Sequence, residues 1–208
     1  MATSERPQPT SRSSPADRRR EVVRGAANLF DQAGYHNTTV EDIARAVGLR
    51  KATLYHYFNS KDEILLWIHE EFIDLLISRH EARRAVAMPA KQRLLEIMAD
   101  ILELMETHRG HVRVFFEHHR ELPAAQQESI KLKRDAYEAY VEGEIARGIE
   151  DGELRPVDIR LATFALFGIC NWAYQWYRPQ GLLRTRDLAY VFWDILMNGI
   201  ASQPSASA

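Results

Sequence analysis

The sequence predicts an all-α protein, and three observations lead there. Apolar residues recur at three- and four-residue steps along almost the whole chain. No stretch alternates with period two for long enough to argue a strand. The periodic runs are separated by residues that cap or stop helices: Gly34, Gly48, Asn59-Ser60, Pro89, Pro123 and Gly181.

Taken in order, about nine helices are expected. Val22, Val23, Ala26, Ala27, Leu29 and Phe30 mark a helix from Asp17 that Gly34 ends. Thr38 with Glu41 has the capping-box spacing for a short helix Val40–Val47, with Thr39 and Asp42 as the weaker alternative. A third runs from about Lys51 to Phe58, and Asn59-Ser60 caps a longer one with Lys61, Asp62 and Glu63 in its first turn and an amphipathic run from Ile64 to about Val86. Gln92–Met105, His108–His119 and a charged helix from about Ala125 to Gly148 follow. Asp158 caps Ile159–Tyr177, Arg178-Pro-Gln-Gly181 breaks the chain, and Thr185–Ile200 is last. Residues 1–15, with three prolines, read as a disordered arm, and 203–208 as a disordered tail.

Composition narrows the class. A chain of 208 residues, 46% hydrophobic, buries a core without staples. Its single cysteine, Cys170, forms no intrachain disulfide, which suits a reducing cytoplasm. Residues 1–20 lack a signal-peptide pattern, and the longest apolar run, Leu161–Tyr177, is interrupted by Asn171 and Gln175. A secreted, membrane-spanning or disulfide-framed protein is therefore not expected. The net charge of −2 hides an asymmetry: residues 1–61 carry +4 and residues 62–208 carry −6. A basic head on an acidic body suits a head that meets a polyanion.

Val40–Phe58 fits a helix-turn-helix. Two helices crossing steeply need a small residue at the contact, Ala44, and a turn residue tolerant of positive φ, Gly48. Ile43, Val47, Leu49, Leu54 and Tyr57 fall where apolar anchors lock such a pair. Arg50, Lys51, Thr53, Tyr55 and His56 are then the side chains a second helix would carry into a major groove. Thr39 and Lys61, at helix starts, are candidate phosphate contacts.

The run Thr38-Thr-Val-Glu-Asp-Ile-Ala-Arg-Ala-Val-Gly48, with Leu49-Arg-Lys-Ala-Thr-Leu-Tyr-His-Tyr-Phe58 and Ser60-Lys-Asp-Glu63, resembles the tetracycline-repressor family of bacterial regulators. Leu29-Phe30 and Gly34-Tyr35 match too, so the likeness covers about residues 18–65. It implies a homodimeric repressor with a three-helix DNA-binding head, here 16–62, and a helical ligand-binding and dimerisation body, here 63–202. It implies DNA contacts at Thr39, Thr53, Tyr55, His56, Tyr57 and Lys61, and no cofactor. Ile149-Glu-Asp-Gly-Glu-Leu-Arg-Pro156 and Trp176-Tyr-Arg-Pro-Gln-Gly181 resemble a branch that senses acyl-coenzyme A thioesters in fatty-acid or sterol breakdown.

Within the body, Trp67, Met98, Met105, Phe115, Phe116, Tyr137, Tyr140 and Trp172 are candidates to line an apolar effector pocket, with Arg178 or Arg109 for a phosphate-bearing head group. Core packing is the competing reading for each aromatic. Leu161, Phe164, Gly168 and Trp172 on one helix, and Leu188, Phe192 and Ile195 on the last, form the expected dimer seam. A twofold dimer reads a palindromic operator. His108, His111, His118 and His119 invite a metal reading, but Arg109-Gly110 argues for a helix start that separates the first pair.

Phosphate-loop, nucleophile-elbow, zinc-protease and dinucleotide motifs are missing from the sequence; His69-Glu70-Glu71 starts like a zinc-protease helix, but position 73 is Ile. The alternative to a regulator is a helical adaptor with no DNA role, against which the basic head argues.

Overall fold

A computed structural model describes residues 14–200. Residues 1–13 of the expected disordered arm and the expected tail 203–208 lie outside the described residues, while Ser14 is the N-cap and Pro15 the first residue of the first helix. Among the described residues the structure is helical throughout, with α1 Pro15–Ala33, α2 Val40–Ala46, α3 Lys51–Leu54, α4 Lys61–Arg84, α5 Ala90–Thr107, α6 Arg109–Glu117, α7 Ala124–Glu150, α8 Ile159–Trp172 and α9 Thr185–Asn198. Short 3-10 turns follow α6 (His119–Glu121) and α8 (Ala173–Gln175).

The head is built from strong local signals. Ser14 and Asp17 form a capping box at α1, with Pro15 in its first turn, and Gly34, at φ 83°, ends the helix. At α2 the capping box is Thr39 with Asp42, not the expected Thr38 with Glu41. Thr38 is buried and its hydroxyl donates to the Gly34 carbonyl at 2.9 Å, so it closes the turn instead. Glu41 is thereby free to pair with Lys51. Gly48, at φ 65°, makes the turn, and Leu49 N–H returns to Ala44 O at 2.8 Å. The reading helix α3 is shorter than expected: beyond Leu54, His56 and Tyr57 bond three residues back, to Thr53 and Leu54, and tighten the end.

The fourth helix begins at Lys61, as expected, with Ser60 accepting from the Glu63 N–H as its N-cap. Its start belongs to the head, where Ile64 and Leu65 join Val22, Val23, Phe30 and Phe58 in one core. Its remainder is the first wall of the body. There α9 lies along α5, and α7 along α4, α5 and α8. Glu153, from the turn after α7, reaches back to accept from the Ala90 and Lys91 N–H groups and caps α5. Helix α8 stops at Trp172 instead of reaching Tyr177. The Tyr177 hydroxyl bonds Glu106 at 2.5 Å and the Leu183 carbonyl at 3.1 Å, which draws the chain off the helix axis. Gly199, at φ 74°, ends α9 before the expected Ile200.

Buried charge fixes the body's inner register. Asp100 accepts from Arg83 and Arg79, and Arg93 lies 3.2 Å from Glu144 with both side chains buried. Breaking one partner of such a pair leaves an uncompensated charge, so these pairs specify how α4, α5 and α7 meet.

Head and body touch again where α6 crosses α1. A Cβ at Gly110 would lie 2.9 Å from the Ala27 carbonyl carbon and oxygen, which are backbone and cannot move aside. Beside it Arg113 pairs with Asp31 at 3.1 Å. Gly110→Ala should therefore destabilise the fold by about 1–3 kcal/mol in urea unfolding; a neutral result would mean the two helices are not in backbone contact.

His69 gives a pH test. It is fully buried on α4, its Nδ1 2.9 Å from the Leu65 carbonyl, and burial holds its pKa down at about 4. Between about pH 6.5 and 4 the unfolded chain takes up a proton that the native ring refuses. Stability is therefore lost as pH falls through that window, by up to about 3 kcal/mol from this residue. Burial lowers His80, His108 and His119 in the same direction. His69→Leu should flatten the acid limb of stability measured from about pH 7 to about pH 4.5; an unaltered slope would rule His69 out as its main source.

Candidate DNA-reading and effector-binding surfaces

Of the side chains expected to read DNA, Arg50, Lys51, Tyr55 and His56 stand exposed together at α3, with Tyr55 45% accessible. Thr53 and Tyr57 are half-buried in the same short segment. Lys51 is engaged with Glu41 on α2, and this contact holds the Glu41 carboxyl below its usual range. The pair is solvent-exposed, so exchanging Glu41 for a phosphate is cheap. Thr39 is exposed at the start of α2, its hydroxyl shared with Asp42 at 2.6 Å.

Lys61 has a different set of partners from the phosphate expected of it. Its ammonium donates to the carbonyls of Tyr35 at 2.8 Å and Thr38 at 3.1 Å and sits 4.1 Å from the Tyr35 ring centroid. The Tyr35 hydroxyl in turn donates to Asp62. Burial and this acid raise the Tyr35 pKa far above its ordinary range. The first turn of α4 is thus bonded to the turn that leads into α2.

In the body, an aromatic cavity of about 230 Å³ opens between α4, α5, α6, α7 and α8. Phe115, Phe116 and Tyr137, three of the expected effector residues, line it. The Tyr137 hydroxyl is buried without a hydrogen-bond partner. The other candidates lie elsewhere. Met98 and Met105 are core, and Tyr140 stacks on His80 at 4.8 Å between centroids. Trp67 faces the head, edge-on to Phe58 at 6.0 Å with the Arg19 guanidinium 5.4 Å from its ring. Trp172 is 64% exposed, and Arg178 lies on the surface away from this cavity. Phe72, one of the bulky apolar residues that the sequence offers as core or pocket lining, also lines it, and the residues missed from sequence are Ile73 and Leu76 on α4, Ile101, and Arg134 and Asn171. The four-residue spacing of Phe72 and Leu76 was a usable signal for the α4 wall; Arg134 gave none.

A larger cavity, about 690 Å³, lies at the far end of the body against Leu94, Ile145, Leu166, Trp193 and Leu196. Its walls come from α5, α7, α8, α9 and the turn before α8, and include neither α4 nor α6.

The expected seam is an exposed apolar face on α8: Leu161, Phe164, Gly168 and Trp172, the first 65% accessible. On α9, Ile195 shares an exposed face with Tyr190 and Val191. Phe192 is half-buried, 6.2 Å from the Trp176 ring. Leu188 is a correction: it is 3% exposed and points into the body, because its side of α9 is the one that packs on α5. Phe164 lines the cavity as well as the exposed face.

His111 Nε2 lies 3.4 Å from Glu71 and His118 Nδ1 3.4 Å from Glu121. No group of three or more His, Cys, Asp or Glu residues able to hold a metal ion occurs among the described residues. Within them, no helix is long and apolar enough to cross a membrane.

Two family models match the chain: "Bacterial regulatory proteins, tetR family" over residues 22–68, and "Tetracyclin repressor-like, C-terminal domain" over residues 87–200. The HTH-type transcriptional repressor KstR2 of Rhodococcus jostii is 29% identical over 188 residues, 89% of this chain and 92% of that protein. The regulator PfmR of Thermus thermophilus superposes with a TM-score of 0.81 at 32% identity, covering 87% of this chain and 99% of the other. AibR in complex with isovaleryl coenzyme A and operator DNA gives 0.77 at 26% identity, covering 86% and 98%. With the helix-turn-helix head and the helical body both matched, the chain belongs to the tetR family of bacterial transcriptional regulators.

Proposed function

We propose that this chain is a cytoplasmic, homodimeric repressor that leaves a palindromic operator when an acyl-coenzyme A thioester fills the aromatic cavity. One observation carries the reading. The cavity is walled by α4, whose first turn is bonded to the head, and by α6, which is packed on α1. An occupant there touches the elements that orient the α3 segment. A molecule in the 690 Å³ cavity would touch neither, so it has no direct means of binding two head positions differently.

The thioester reading is supported by AibR, whose structure holds isovaleryl coenzyme A together with operator DNA, and by the body motifs described above. Homodimerisation is supported by the exposed apolar faces of α8 and α9, adjacent on one protomer and unlike the surface of a monomer. Pairing α8 and α9 with their twofold mates gives a four-helix seam and presents two reading helices to successive major grooves. Arg50, Lys51, Tyr55 and His56 then contact the operator, with Thr39 at a phosphate. Lys61 acts from behind them, through the turn it holds.

The test is an operator selected from random DNA with the purified protein and then titrated by fluorescence anisotropy. Affinity should fall with salt by about 0.9 log units per log unit for each phosphate contacted. Salt-independent binding, or no selected sequence, would leave an adaptor instead. Trp172→Asp buries a charge in the seam, so it should yield monomers in sedimentation and lower operator affinity at least tenfold. A variant that stays dimeric would move the seam away from α8.

A further inference from the structure

The size and rigidity of the aromatic cavity say what kind of acyl group it takes. An apolar cavity of about 150 Å³ accepts benzene, so about 230 Å³ accepts about nine non-hydrogen atoms. A coenzyme A moiety cannot enter; only the acyl end can. The walls resist enlargement because their rings pack on one another. Phe72 lies 4.3 Å from Phe115 and 6.1 Å from Phe116 between centroids, and Phe115 lies 5.3 Å from Phe116. Behind them Phe116 stacks on Tyr174 at 5.1 Å, and across the cavity Tyr137 stacks on Phe167 at 5.9 Å. Admitting a fused ring system would part several of these contacts at once.

A lower bound follows as well. An occupant too small to touch the walls that differ between two head positions binds both equally and shifts nothing. The acyl group must therefore fill the chamber far enough to contact Phe115 and Phe116 of α6. Towards solvent, the charges favour a thioester entering acyl end first. Glu138 pairs with Arg160 at 3.8 Å, whereas Arg134 has no acidic partner in ion-pair range among the described residues. Its guanidinium lies 5.9 Å from the Phe115 ring. An exposed cation beside an apolar chamber suits the phosphates of a coenzyme A left outside.

Resting on the thioester reading above, we infer that the effector is a coenzyme A thioester of a branched short-chain or single-ring acid, with Arg134 holding the phosphate end, and that long-chain and fused-ring acyl groups are excluded. The likeness to KstR2 does not decide this point, because the limit comes from the aromatic walls of this chain.

The experiment uses the full-length protein on its selected operator, titrated with free coenzyme A and its acetyl, isovaleryl, benzoyl, palmitoyl and steroid-ring thioesters. Calorimetry of the same thioesters without DNA separates binding from release. Isovaleryl- or benzoyl-coenzyme A should release DNA at a concentration at least tenfold below that of the acetyl, palmitoyl and steroid-ring compounds. Phe116→Ala, at a half-buried position, should move the optimum to larger acyl groups. Arg134→Gln should weaken all thioesters alike and leave the optimum in place. Best release of the wild type by the palmitoyl or steroid-ring compound would overturn the size limit while keeping the thioester reading. Neither binding nor release by any thioester would overturn that reading and the inference with it.

Discussion

In the proposed repressor, the passage from cavity to DNA depends first on how closely α6 lies on α1. At Gly110 the α6 backbone comes close to the α1 backbone at Ala27, with the Asn28 side chain alongside. Arg113 and Asp31 extend the contact along both helices. Displacing α6 therefore acts on α1 directly, and α1 is the central helix of the head core, contributing Val22, Val23, Ala26, Ala27 and Phe30. A bulkier residue at position 110 would insert a compliant side chain, and interfaces of that kind transmit less than packed backbones do.

The body divides into a part held by charge and a part held by rings. Asp100 with Arg79 and Arg83, and Glu144 with Arg93, tie α4, α5 and α7 through buried or nearly buried ion pairs with directional geometry. Helix α6 meets the cavity through Phe115 and Phe116, whose tilted and edge-on ring pairs are worth about 0.5–1.5 kcal/mol each. Parting such rings costs less than unpairing buried charges. Of the two cavity walls that reach the head, α4 is the one also held by charge, and α6 is the one that meets the cavity through rings.

The head was legible in sequence because its determinants are local: capping residues, Gly48, and apolar anchors at fixed offsets. The exception there is Thr38, whose hydroxyl takes a competing local bond and closes a turn instead of capping α2; in the body a tertiary bond overrides the helix, as Tyr177 leaves it to reach Glu106. The cavity was half legible. Aromatic spacing on α6 and α7 marked Phe115, Phe116 and Tyr137, yet the same signal marked Trp67, Tyr140 and Trp172, which face the head, His80 and solvent. Periodicity reports that a face is apolar and is silent on what the face meets. Leu188 shows the same limit, since an apolar stripe on α9 serves both α5 and the exposed side.

The bonds of Lys61 constrain the mechanism further. With Lys61 joined to Tyr35 and Thr38, and Asp62 to the Tyr35 hydroxyl, the α1–α2 turn is tied to the first turn of α4. Thr39 follows at once and caps α2, and α2 sets α3 through Gly48 and the Leu49–Ala44 bond. The head therefore moves as one body with the N-terminal end of α4. In the proposed mechanism an occupant acting at Phe72 or Leu76, farther along the same helix, would tilt the head without unfolding α3. In a twofold dimer, tilting two intact heads changes their separation, and a palindrome with fixed half-site spacing rejects the altered distance. The effector thus has no need to touch, bend or melt a single DNA-reading residue.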